Sequence, residues 1–362
     1  MIMKKRKNWL TALLSMFVLA SCSLEEDTSS FSTPDNFYQT KEQCLSALNS
    51  CYIPLNGTYN YTLFIATEAC TDIMYINSGT LDSRLDISPA KPRHGETVWN
   101  NGYKGVMYCN AAINGIENSP LEENEKLPLL GEGKIMRAFY YYDLATIFQN
   151  IPLLDKPLEV VDKSTITKSS KEEVMNFILK DLNTAIAEPN LPNAKSLPTS
   201  EIGRITKEAA MAFRARVLMF YGNYGEALKD LKAVVESGSY ELVDDYEKLF
   251  NSATEGYMSK ESVFITLRSY IPSYTGGSVC PQMNVGRGIA GGWGGECPTK
   301  DLVDEYEVGD PRLVHTVLSS GDIFVKNDGS EEVHDYSGYD NFPQQHSRKQ
   351  YPDFSRRPLN DL

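Results

Sequence analysis

Aromatic and polar side chains that suit carbohydrate recognition concentrate in two stretches of the chain, residues 57–97 and 270–297, which lack helical periodicity. An aromatic ring stacks on the apolar C–H face of a sugar, and carboxylate, amide and guanidinium groups bond its hydroxyls. Long irregular stretches in a helical chain are disproportionately functional. We therefore predict that both stretches contribute to a glycan-binding site. The candidate contacts are Asp72, Tyr75, Arg84, Tyr270, Tyr274 and Trp293.

Trp293 is the strongest single candidate among them. It is flanked on each side by two glycines, in the sequence Gly-Gly-Trp-Gly-Gly. Glycine at this density cannot hold a helix or strand, and it offers the indole no side chains to pack against. The pattern favours an exposed ring that stacks on a sugar. The alternative is a loop anchor buried against helices.

Motifs for catalysis, metals and cofactors are weak by comparison. Residues 286–291 match the dinucleotide fingerprint G-x-G-x-x-G, but the glycines at 292, 294 and 295 prevent the helix that should follow. The four histidines are too dispersed for an H-E-x-x-H zinc site. A glycosidase would need two carboxylates at a set separation, and sequence does not locate such a pair among the 48 acidic residues. We predict no catalytic centre, metal or cofactor.

The charge balance also limits the partners. The formal net charge is −13. Nucleic-acid binding requires clustered lysine and arginine to neutralise phosphates, so this balance argues against a nucleic-acid partner.

The first 22 residues carry a targeting pattern. Four basic residues at 4–7 precede an apolar run at 9–20 that is too short to span a membrane comfortably. The run ends in Leu-Ala-Ser-Cys, which resembles a bacterial lipobox. We expect a signal peptide at 1–21, lipid on Cys22, and a tether over 22–38 that anchors the protein to a membrane. An ordinary signal peptide with an incidental cysteine is the alternative.

The chain has seven cysteines, which in an exported protein invite disulfides. Cys44 and Cys51 lie seven residues apart on one predicted helix, about 10 Å at 1.5 Å per residue, so they cannot pair with each other. Cys280 and Cys297 flank the glycine-rich stretch and are candidates for a bridge at its base. Free buried thiols are the alternative.

The elements that must position these stretches are helices. Gly203–Leu242 predicts two helices joined by a tight turn, with Thr206 as an N-cap, Gly222 in the turn and Gly238 at the end. Each helix carries an apolar stripe that it cannot bury alone, which implies further stacked helices that cover it. In the second helix the stripe predicted to face the core is Leu228, Leu231, Val234 and Val235.

Other segments extend this helical pattern. Capping boxes begin helices after Thr40 and Ser170, and apolar periodicity indicates helices at 99–117 and 131–152. Arg137, on the most apolar of these, requires a buried partner and is predicted to form a structural salt bridge. The β-branched and aromatic residues at 261–268 predict a strand.

Three motifs carry a resemblance to a known family. They are R-I-T-K-x-A-A from Arg204, G-E-x-x-x-x-R-A from Gly131, and P-T-x-x-L-V with D-P-R at 298–303 and 310–312. Together they resemble the SusD/RagB (starch-utilisation-system D-like) outer-membrane nutrient-binding lipoproteins of Bacteroidota. The resemblance implies a mainly α fold of tetratricopeptide-like helix pairs with a loop-rich lobe and a few short strands.

The resemblance also implies a domain plan. The SusD-like domain should cover 39–362, with a helical core over about 39–240 and an irregular lobe over about 241–362. Members of the family usually continue past this point with further helices, so the sequence looks C-terminally truncated against that pattern.

The function implied by the resemblance is capture of an oligosaccharide and its delivery to a SusC-like TonB-dependent transporter, with peptide cargo also open. A surface glycoside hydrolase and a scaffold subunit without a ligand are the alternatives.

Overall fold

The structure is a computed structural model. It describes residues 37–76, 88, 94–157, 163–187, 189–246, 249, 259–266, 296–319, 321, 323–325, 330–333 and 345–347.

The described part of the chain is mainly helical, as predicted. The helices are α1 (Lys41–Ser50), α2 (Ile53–Gly57), α3 (Leu63–Glu68), α4 (His94–Glu117), α5 (Glu123–Phe148), α6 (Lys171–Ile186), α7 (Lys207–Phe220), α8 (Tyr224–Glu236), α9 (Lys300–Asp304) and α10 (Leu313–Thr316). A π-helical turn, Thr58–Thr62, joins α2 to α3, and 3-10 turns lie at Lys163–Thr165, Ala194–Ser196 and Thr199–Glu201.

Local sequence signals fix where the helices begin and end. Thr40 and Ser170 form the predicted capping boxes of α1 and α6, and Thr206 accepts a backbone N–H at the start of α7. Gly222 and Gly238 adopt positive φ after α7 and α8, a conformation that costs glycine little. These caps satisfy backbone groups that a helix end would otherwise leave unpaired.

One apolar core lies among α1, α2, α4, α5, α6 and α7. Helices α4 and α5 are the longest of the described helices. They pack closely because α4 has glycines at the positions that face large side chains of α5. A β-carbon on Gly105 would lie 2.3 Å from the Tyr140 ring, and one on Gly102 would lie 2.8 Å from Leu144. Tyr140 itself is 2% exposed and donates to the Cys51 carbonyl at 2.6 Å.

Arg137 has the buried partner that its position requires. Its Nε and Nη2 atoms each lie 2.8 Å from a carboxylate oxygen of Asp181 on α6, and Nη1 lies 2.8 Å from Asn110 Oδ1 on α4. The arginine is 6% and the aspartate 3% exposed. The predicted structural salt bridge is confirmed, and it ties three core helices together.

Six short strands form three antiparallel pairs within the described residues. The strands are β1 (Met74–Ile76), β2 (Glu296–Pro298), β3 (Val317–Ser319), β4 (Ile323–Val325), β5 (Glu331–Val333) and β6 (Gln345–Ser347). β1 pairs with β2, β3 with β6, and β4 with β5.

Three local predictions were wrong. The stretch at 57–97 is helical as far as Glu68 instead of irregular throughout. The predicted strand at 261–268 is absent from 261–266, the part of it that the structure describes, where no neighbouring strand supplies hydrogen bonds. α5 begins at Glu123, eight residues before the predicted start, and Pro128 lies inside it.

Candidate functional site

The two stretches predicted to bind a ligand meet in space. β1 comes from the first stretch and β2 from the end of the second, and they pair antiparallel with Tyr75 opposite Cys297. Beyond the strands, the backbone N–H of Thr299 donates to the Ile73 carbonyl at 3.1 Å, and its hydroxyl donates to the Asp72 carbonyl. We call residues 72–76 and 296–299 the β1–β2 junction.

The junction is stabilised by its sequence at the end of β2. Thr299 also accepts from the Leu302 backbone at 3.3 Å, so the same residue ends the pairing and caps α9. Pro298, which has no N–H to donate, occupies the last position of β2. Beneath the strands Met74 packs with Ile65 and Ala69 of the preceding helix, all buried.

The structure locates some of the candidate residues and not others. Asp72 is exposed at the junction, and Tyr75 lies at the centre of β1. Trp293 precedes β2 by three residues in the sequence. Arg84, Tyr270, Tyr274, Trp293, Cys280 and the lipidation candidate Cys22 lie outside the described residues. Their roles, and the Cys280–Cys297 bridge, therefore stay predictions.

Cys44, on α1, and Cys51, directly after it, are both buried free thiols, so they do not pair with each other, as their spacing predicted. Burial raises the pKa of the Cys44 thiol. Cys44 therefore does not present a reactive thiolate at neutral pH.

A buried carboxyl supports the helical segment that leads into β1. Tyr59, in the π-helical turn, donates its hydroxyl to the Asp143 carboxylate on α5. Burial raises the pKa of Asp143 to about 7, although Tyr59 and the charge of Arg216 oppose that rise. The pair anchors the start of the first stretch to the core.

This carboxyl should make stability depend on pH. The folded pKa of about 7 exceeds the ordinary value of 3.8, so the folded state holds a proton that the unfolded state has lost between those values. Stability from this group is complete below the lower value and is lost as pH rises through the upper one. Each pKa unit of difference is worth about 1.4 kcal/mol.

The matched variant is Asp143→Asn, whose amide oxygen still accepts the Tyr59 hydroxyl but does not titrate. We expect its free energy of unfolding, relative to the wild type, to rise between about pH 4 and about pH 7 in urea titrations. A difference between the two proteins that is flat over this range would show that Asp143 ionises normally.

The D-P-R motif near the junction forms a local ion pair. Arg312 Nε lies 2.9 Å from Asp310 Oδ1, and Nη2 lies 2.5 Å from Oδ2. These bonds lower the pKa of Asp310 to about 2. The ion pair stabilises the turn before α10. The Asp310 carboxylate and the Arg312 guanidinium are each other's partners there.

Among the residues that the structure describes, no group of three or more metal-ligating side chains is placed to hold a metal ion. Over the same residues, no helix is both long and apolar enough to cross a membrane. At the junction Asp72 is exposed, whereas Met74, Cys297 and Pro298 are buried. The paired strands therefore present an acidic side chain that can accept hydrogen bonds from the hydroxyls of a ligand.

Known proteins resemble this chain in sequence and in fold. The family model for SusD-like proteins, described as starch-binding and associating with the outer membrane, matches residues 24–219. A SusD-like protein P38 from Formosa agariphila is 29% identical over 251 residues, which are 66% of this chain and 48% of that protein. The chain thus spans about half the length of that relative.

Solved structures give the same fold. A SusD-like carbohydrate-binding protein from Bacteroides fragilis superposes with a TM-score of 0.74 at 24% identity, covering 89% of this chain and 69% of that one. A laminarin-binding SusD-like protein superposes with a TM-score of 0.74 at 21% identity, covering 88% of this chain and 74% of that one.

Proposed function

We propose, because this chain belongs to the SusD-like family, that it captures an oligosaccharide at the outer-membrane surface and holds it without cleaving it. The supporting observation is the β1–β2 junction, which joins the two stretches that carry the candidate ligand contacts. Relatives whose names state a ligand bind carbohydrate or laminarin. The lipid on Cys22 would keep the protein at that surface.

Stacking at Trp293 is the decisive test of capture. We expect the full mature chain to bind at least one oligosaccharide on a glycan array, and Trp293→Ala to weaken that binding by about 2 kcal/mol, roughly thirtyfold, as for a central aromatic contact. Tyr224→Ala is the control, because Tyr224 is an aromatic 68% exposed on α8, away from the junction.

The same assay separates the alternatives. Product formation from a bound glycan would establish a hydrolase. Absence of binding to all glycans and peptides tested would leave a scaffold subunit. Equal binding by the wild type and Trp293→Ala would place the site elsewhere.

For the partner we propose a SusC-like TonB-dependent transporter that contacts the outer face of α8. Tyr224, Leu228 and Val235 recur at helical spacing and are 68%, 52% and 76% exposed. Leu228 and Val235 were predicted to face the core, so this apolar stripe is surface that the described residues leave uncovered. Exposed apolar patches of this kind mark protein contacts.

Charge placed on the stripe should disrupt the contact. We expect Leu228→Asp with Val235→Asp to abolish co-purification with a co-expressed SusC-like transporter, while glycan binding persists. Lys229→Asp makes a comparable charge change at an exposed position about 100° round the same helix from Leu228, off the stripe, and should leave co-purification intact. Retention of the complex by the double variant would exclude this face.

A further inference from the structure

A second concave site lies away from the β1–β2 junction. It is a cavity of about 350 Å³ that shares no residue with the junction. Its walls come from the end of α1, the turn before α7, and residues 265–266. The residues that matter to the argument are Asn49, Tyr52, Ser200, Glu201, Arg204 and Ile265.

A hydrogen-bond network holds the walls in place from behind. Glu132, 6% exposed on α5, accepts from Arg204 Nη1 at 3.0 Å and from the Tyr52 hydroxyl. Arg204 Nη2 donates to Asn49 Oδ1 at 2.7 Å. Three lining side chains are therefore fixed before any ligand arrives, which lowers the entropy cost of binding.

The chemistry of the cavity favours a neutral ligand. The positive charge of Arg204 is neutralised by Glu132, and Glu201 adds an exposed carboxylate at the rim. The lining therefore carries one uncompensated negative charge, which repels an anion, whereas a neutral ligand can bond to these polar groups without repulsion. The remaining lining offers amide, hydroxyl and carboxylate groups beside the Tyr52 ring and the Ile265 side chain.

A polyhydroxylated ring matches this mixture. Its hydroxyls bond to groups such as those of Asn49, Ser200 and Glu201, and its C–H face packs on an aromatic ring. The volume lies at the small end of the range for ligand pockets, about 300–1,000 Å³, so it suits one ring and not a chain of several.

We propose that this cavity is a second carbohydrate site, which binds one neutral monosaccharide unit independently of the β1–β2 junction. The choice of a sugar over other neutral polyols rests on the proposed function. The existence of a site for a neutral polyol rests on the cavity alone.

The test uses the full mature chain and four neutral sugars, D-glucose, D-galactose, D-mannose and D-xylose, with D-glucuronate as the charged comparison. Saturation-transfer NMR and calorimetric titration measure binding. We expect at least one neutral sugar to bind with a millimolar dissociation constant and D-glucuronate to bind more weakly.

Two variants alter the lining of the cavity, and a third is their control. Ser200→Trp fills it, and Glu201→Ala removes an acceptor from the rim without touching the core. Each should weaken monosaccharide binding by about tenfold or more. Ser196→Trp adds the same bulk at an exposed position on the neighbouring 3-10 turn and should change nothing.

The outcomes separate this inference from the proposed function. Monosaccharide binding that is sensitive to Ser200→Trp and unaffected by Trp293→Ala supports a second site, whatever happens to the oligosaccharide. The inference is overturned if no neutral sugar binds, if both cavity variants bind as the wild type does, or if Trp293→Ala removes monosaccharide binding. In the first two cases oligosaccharide capture that depends on Trp293 would still stand.

Discussion

Arg137→Met should lower the free energy of unfolding by about 3–5 kcal/mol, the cost of removing one partner from a buried ion pair. The loss leaves the Asp181 carboxylate, 3% exposed, without its two 2.8 Å charge-assisted bonds. It also removes the bond to Asn110 and the packing of the guanidinium on the Phe177 ring, 5.0 Å from its centroid. The expected measurement is urea denaturation followed by circular dichroism.

A double variant tests that explanation. Replacing a buried pair with apolar residues is often neutral, so Arg137→Met with Asp181→Leu should recover much of the loss. Arg312→Met is the matched control, because the Arg312 side chain is 60% exposed and its pair with Asp310 is local, so its loss should cost far less stability than the loss of Arg137. A double variant as unstable as Arg137→Met alone would show that the arginine acts through packing instead of charge.

Much of the helical framework could be predicted because its signals are local. Capping boxes at Thr40 and Ser170, the N-cap Thr206 and the glycines at 222 and 238 all act within a few residues. The sequence predicted that Arg137 has a buried acidic partner, because a buried charge must be paired. It did not predict that this partner is Asp181. That contact joins residues 44 positions apart.

Elements that depend on distant contacts were missed. The helices between Ile53 and Glu68 carry no clear periodicity, and the Tyr59–Asp143 bond that supports them spans 84 positions. Residues 261–266 have strand propensity but pair with none of the strands that the structure describes, and propensity alone does not form a sheet.

For the candidate site, the sequence predicted two regions, 57–97 and 270–297. The structure shows where they come together, at the β1–β2 junction. The pairing of β1 with β2 joins residues more than two hundred positions apart, a contact for which the local sequence has no signal. The cavity beside Arg204 was missed for the same reason. Asn49, Tyr52 and Glu201 are ordinary residues in the sequence and become a site only where α1 meets the turn before α7.

Gly105→Ala should also destabilise the fold strongly, by about 2 kcal/mol or more, because it overfills the contact between α4 and α5. The added β-carbon would lie 2.3 Å from the ring of Tyr140, which is 2% exposed. That ring cannot move without breaking its 2.6 Å bond to the Cys51 carbonyl. The gain in helix propensity, about 1 kcal/mol, offsets only part of this cost.

Gly225→Ala is the matched control for this prediction. Gly225 is also helical and has no neighbouring atom within 4 Å of an added β-carbon, so the same substitution should leave stability unchanged or raise it by up to about 1 kcal/mol. The two substitutions therefore differ in sign for one chemical change, and thermal unfolding of the two variants measures the difference. A Gly105→Ala protein as stable as Gly225→Ala would mean that α4 and α5 pack farther apart than the structure has them. In that case the core that supports both proposed sugar sites would be looser than the close contacts of Tyr140 require.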